Sequence, residues 1–175
     1  MSIEYWIVYC GYLVWLLAGL CDFICHWRTD LRHTSGIAES ATHLIQTGLL
    51  GMAVILGLIF EVGRSSALLI LALVIAHAVV GYLDTRIAFR RRRIVSPVEQ
   101  HLHSVLDMAP IIAFAWMVIS SWSAIANEEW RLEPRQPAVP IAVWFAVLVP
   151  AALLSVGPAV MEFRSAWCAR HAARV

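Results

Sequence analysis

The residues of this chain that are able to do chemistry recur at one interval. Asp22 precedes His26 by four positions, Glu39 precedes His43 by four, and Glu99 precedes His103 by four, with Asp107 four further along. On an α-helix, positions i and i+4 share a face, so each pair would aim a carboxyl and an imidazole in one direction. His77 and Asp84 are seven apart, which is two turns and about 10 Å of rise along one stripe. Folded together, four such segments would bring about four carboxylates and four or more imidazoles to one centre.

That donor set suits divalent transition metals. Mixed imidazole and carboxylate ligands match Fe, Mn or Zn, and soluble di-iron bundles use Glu and Glu-x-x-His from facing helices. Two divalent ions would also neutralise carboxylates that could not otherwise stay ionised in a dry interior. The expected metal ligands are Asp22, His26, Glu39, His43, His77, Asp84, His103 and Asp107, with Glu99, His101 and His33 as second choices. Tyr82, Thr42 or Ser104 would orient ring nitrogens by hydrogen bonding. Iron is favoured, with zinc or manganese as alternatives. Asp107 or Glu99 is the candidate general base if water on the metal is the nucleophile.

Composition says what must hold these groups. Of 175 residues, 61% are hydrophobic and 14% charged, whereas soluble domains run near 45–50% and 25%. A soluble globular domain, a disordered chain and a disulfide-rich secreted domain are excluded. A net charge of +1 gives no basic field for nucleic acid. About 20 apolar residues cross a bilayer, and the sequence predicts an all-α polytopic membrane helix bundle. Its five spans fall near 5–23, 40–60, 66–88, 97–121 and 140–163. Residues 122–139 read as an ordered polar loop. Glu4 stands where a signal peptide wants a basic residue, so the first apolar run reads as a retained span.

All 13 basic residues are Arg. Ten lie after the first span, after the third and in the tail, including the run Arg90–Arg93; Arg64, Arg131 and Arg135 lie on the other side. The positive-inside rule then places the N-terminus outside and the C-terminus in the cytoplasm, in what reads as a bacterial inner membrane. The chemical pairs consequently cluster at the cytoplasmic side.

Several residues also have a purely architectural explanation. Ser96-Pro97-Val98-Glu99 is a capping box with Pro at the first helical position. Asp84 could pair with Arg86 or the Arg run. His101 would point away from His103, and His33 lies in a polar loop. Most of the eight Trp fall near span ends, where an aromatic belt places them. The four Cys have no zinc-knuckle spacing and read as apolar filler. Walker, dinucleotide and nucleophile-elbow motifs are absent from the sequence.

In site style and placement, Asp22-xxx-His26, Glu39-xxx-His43 and Glu99-Gln100-His101-Leu102-His103 resemble the integral-membrane histidine-motif oxygenases, the fatty-acid desaturase and hydroxylase group. The resemblance implies two metal ions and oxidation of lipid chains. The HxxxH and HxxHH boxes of that group do not occur in this sequence. The leading expectation is a membrane metalloenzyme acting on a lipid or apolar substrate, by oxidation with iron or hydrolysis with zinc. A redox partner and a homo-oligomer are compatible with it. A b-type cytochrome holding haem between His26, His43, His77 and His103 is a second reading. A metal or proton carrier, or an assembly factor, is a third.

Overall fold

The computed structural model describes residues 3–34, 36–127 and 130–172. Its elements are α1 (Ile3–Arg28), a 3-10 turn (Leu31–His33), α2 (Ile37–Ile59), α3 (Arg64–Arg90), α4 (Pro97–Ser120), α5 (Trp122–Asn127), α6 (Ile141–Ala151), a π turn (Ala152–Val156) and α7 (Gly157–Ala172). α6, the π turn and α7 form one continuous rod, so five helices are long and apolar enough to cross a membrane. The described residues contain no strand, only an isolated antiparallel bridge between Phe60 and Pro134.

The spans begin and end where local chemistry allows. α4 starts at the capping box: Ser96 Oγ accepts from the Glu99 amide at 3.2 Å, and Glu99 Oε2 accepts from the Ser96 amide at 3.4 Å. The region expected as a loop is partly helical, since α5 occupies its first third. The remainder is tied to the end of α2 by Glu61 N donating to Glu133 O at 2.8 Å and Arg135 N to Ile59 O at 2.9 Å.

The last rod is interrupted for an identifiable reason. Pro158 has no N–H to continue the α ladder, and the Gly157 amide instead bonds back to Ala152 O, closing the π turn. Pro150 likewise leaves the Ala146 carbonyl without its normal donor. The Tyr9 hydroxyl fills that place at 3.0 Å, and Tyr12 donates to Val147 O at 2.7 Å. These two bonds fasten α1 to α6.

Packing is inverted relative to a water-soluble bundle. Exposed side chains include Ile7, Val14, Leu69, Ile75, Ile112, Ile119, Phe145 and Leu153, whereas Asp22, His26, Glu39, His43, Asp84, Arg93, Glu99 and Glu162 are buried. Lipid solvates the apolar exterior without penalty, so ionisable groups in such helices face the bundle interior. α2 lies along α3, α1 along α4, and α7 closes against α2 and the 3-10 turn. The buried polar groups share the end of the bundle that carries the Arg90–Arg93 run.

Candidate metal centre

Two imidazoles form the middle of the centre. His26 of α1 and His43 of α2 stack with ring centroids 4.6 Å apart and planes within 8°. Both direct Nδ1 at one carboxylate: Glu162 of α7 meets His26 Nδ1 at 2.8 Å through Oε2 and His43 Nδ1 at 2.6 Å through Oε1. An ionised carboxylate only accepts, so both rings present a proton to Glu162 from Nδ1, and in the neutral ring Nε2 carries the lone pair. A carboxylate behind a histidine in this way fixes the tautomer of a metal-binding ring.

The two Nε2 atoms open onto two groups of oxygens. His26 Nε2 is 3.3 Å from both Asp22 Oδ2 and Glu99 Oε1, and His103 Nε2 is 3.2 Å from Asp22 Oδ1. His43 Nε2 is 3.2 Å from Asp84 Oδ1. The donor atoms of Asp22, His26, Glu99 and His103 lie within 4.8 Å of one another, as do those of Glu39, His43 and Asp84 and those of His26, His43 and Glu162. Asp22 Oδ1, His26 Nε2 and His43 Nε2 are buried and have no hydrogen-bond partner among the described residues. Buried polar atoms are nearly always paired, and these orphans lie within two groups of donors that could each hold a cation.

Arg93 closes the membrane-surface side. Arg92 has φ 55°, which turns the chain back after α3. Arg93 thereby enters the bundle and is 6% exposed. Its Nε donates to Glu39 Oε2 at 3.1 Å, its Nη2 to Glu39 Oε1 and to Glu99 Oε1, and its Nη1 to Thr29 Oγ1 at 3.3 Å. Burial works against its charge, but the hydrogen bonds to Glu99 and Glu39 outweigh it and raise its pKa. Asp22, Glu39, Asp84, Glu99 and Glu162 are each at most 5% exposed. Five carboxylates against one guanidinium leave about −4 with neutral imidazoles, the charge of two divalent ions.

The centre adjoins an elongated cavity of about 330 Å³. Its polar end is lined by Asp22, His43, Asp84 and His103, and its far end by Leu50, Val54, Ile55 and Leu148. From His43 to Ile55 is about 18 Å of helix. The π turn contributes Ala152, Ser155 and Val156 to the wall. Its extra residue also rotates all that follows by about 100°, which is what turns Glu162 inward.

The structure thus brings together Asp22, His26, Glu39, His43, Asp84, Glu99 and His103. Glu39 belongs to the group, yet both its oxygens are already on Arg93. Glu99 is a helix cap and a member of the centre at once. His77 and Asp107 line the cavity but stand outside the clustered donor groups found among the described residues. The seven-residue step from Asp84 carries His77 two turns away from the centre. His101 is exposed. His33 is exposed and paired with Asp30 at 2.8 Å, a bond that holds the Asp30 carboxyl below its ordinary pKa. Of the orienting hydroxyls, only Thr42 serves, donating to Asp84 Oδ1 at 2.5 Å. Tyr82 is 65% exposed, and the exposed Ser104 bonds to the Gln100 carbonyl.

Glu162 and Arg93 escape a reading based on spacing. The positions four away from Glu162 are Pro158 and Ala166, so no histidine marks it, and Arg93 is hidden within a run that topology explains. The one available signal was an acid inside the fifth apolar segment.

Fold and site together define a class: a helical bundle of membrane-spanning length with a buried histidine–carboxylate centre able to hold metal. Compared with family models, curated proteins and solved structures, the chain matches none.

Proposed function

We propose that this chain is an integral-membrane metalloenzyme whose two divalent ions act on a single-chain lipid or similarly apolar substrate. The observation that carries the reading is the set of buried, unpartnered donor atoms, His26 Nε2, His43 Nε2 and Asp22 Oδ1, beside the polar end of a cavity whose far end is apolar. One ion would lie among Asp22, His26, Glu99 and His103, and the other beside His43 and Asp84. Glu162 holds both imidazoles in the binding tautomer. Arg93 neutralises Glu39 and Glu99 from the outer side. Asp107 has no hydrogen bond among the described residues and lies on the cavity wall, so it suits proton transfer better than Glu99, whose oxygens already accept from Arg93 and the Ser96 amide.

With iron, the favoured metal, the reaction is hydroxylation or desaturation of the chain, with dioxygen as oxidant and a redox partner supplying electrons. The Arg distribution argues that the centre faces the cytoplasm of a bacterial inner membrane, where such a partner would dock. One observation favours zinc and hydrolysis as a second reading. A polar cavity of about 290 Å³ lined by His26, Asp30, Arg32, Glu162 and Ser165 lies at the back of the centre and would admit water. Haem has less support, because His26 and His43 stack directly and both Nδ1 atoms are engaged by Glu162.

The test uses the protein in lipid nanodiscs, loaded separately with ferrous iron and with zinc and given single-chain lipids. Oxygen uptake with an oxidised product in the iron sample supports the first reading, and a hydrolysed product in the zinc sample supports the second. Tight metal binding with no product from any lipid would overturn the enzyme and leave a carrier or assembly role.

A further inference from the structure

The cavity carries a second polar tier that the metal centre does not use. Gln46 lies three residues after His43, Gly81 three before Asp84, and Asp107 four after His103. All three are therefore about one turn, some 5 Å, deeper than the centre. A Cβ at position 81 would stand 2.8 Å from Asp107 Oδ1 and 3.1 Å from Gln46 Nε2. Only glycine lets both side chains come this close to the face of α3. Two further groups stand on the cavity wall: His77, 4% exposed, and Trp15, whose buried Nε1 has no hydrogen-bond partner among the described residues.

The tier has a definite chemical preference. Asp107 and the Gln46 carbonyl oxygen accept hydrogen bonds, and a carboxylate rejects an anionic group. Trp15 Nε1–H only donates, and His77 can donate. Acceptors for an N–H beside donors for a C=O are the complement of an amide. A turn of helix corresponds to about four or five covalent bonds of an extended chain. We infer that the substrate is an amide-bearing single-chain lipid, its amide about four or five bonds from the reacting atom, with Asp107 and Gln46 taking the N–H and the tail running past Leu50 and Val54. This rests on the enzyme reading for the reacting atom, but the binding preference can be measured without metal.

The probes are the monoethanolamide of lauric acid and the matching glycol monoester, which differ only in N–H against O. Binding is measured in nanodiscs on chelator-stripped and metal-loaded protein. The amide should bind at least about tenfold more tightly than the ester. Asp107→Leu should abolish that preference, and Asp107→Asn should keep part of it. Gln46→Leu, which leaves the carboxylate in place, should reduce it and serves if Asp107→Leu fails to fold. Equal binding of both probes to the wild type, or a preference that survives both Leu variants, overturns the inference. Metal content is recorded on the same samples, so loss of the amide preference with metal retained refutes this proposal alone.

Discussion

Replacing Glu162 by Gln separates a metal centre from a polar core more sharply than any change to a ligand. Glu162 lies on the Nδ1 side of both rings, away from the two proposed ion positions, and its two oxygens accept from the Nδ1 atoms of His26 and His43. In Glu162→Gln one oxygen becomes an NH2 group, which cannot accept. One ring then loses its partner and is free to move its proton to Nε2, the atom that would bind metal. Losing a carboxylate behind a histidine weakens metal binding about 10- to 100-fold, or roughly 1.4–2.8 kcal/mol. Glu162→Ala frees both rings and should lose more, since two buried donors are left unpaired at about 1–3 kcal/mol each. The assay is competition against a chromophoric chelator, with circular dichroism confirming the helical fold. Affinity unchanged within about twofold in Glu162→Gln, against the loss expected for such a carboxylate, would refute the assignment of Nε2 as the metal-facing atom.

Other outcomes follow from the same geometry. Removing Arg93 leaves Glu39 and Glu99 as buried uncompensated charges, so Arg93→Ala should cost about 3–5 kcal/mol, read as a lower melting temperature in detergent, while Arg93→Lys should recover part of it. Tyr9→Phe should cost about 1 kcal/mol by stranding the Ala146 carbonyl. Pro150→Ala restores a backbone donor to that carbonyl, so Tyr9→Phe should be nearly silent in that background; equal losses in both backgrounds would contradict the account of the last span. Ala at His26, His43 or His103 should lower bound metal, whereas Ala at the exposed His101 or His171 should not, as elemental analysis of the purified variants will show.

The fold was legible because lipid imposes a simple demand. A run of about 20 apolar residues has few alternatives to a spanning helix, and all five spans lie within a few residues of where hydropathy puts them, apart from the last, which runs on from 163 to Ala172. The site was legible where an acid and a histidine share one helix face. Asp22–His26, Glu39–His43 and Glu99–His103 all converge. His77 and Asp107 lie on the right stripes but too deep, because a stripe fixes direction and not depth. Glu162 depends on a π turn that shifts its face, and a periodic reading assumes a regular helix. Arg93 depends on one left-handed residue, Arg92, that turns a surface run inward.

Metal stoichiometry of the purified chain tests the central claim most directly. Elemental analysis with an absorption spectrum, after reconstitution with iron and with zinc, should give about two ions per chain and no Soret band. Absence of metal at every loading would contradict the account, leaving the carboxylates balanced by imidazolium ions in a purely structural polar core.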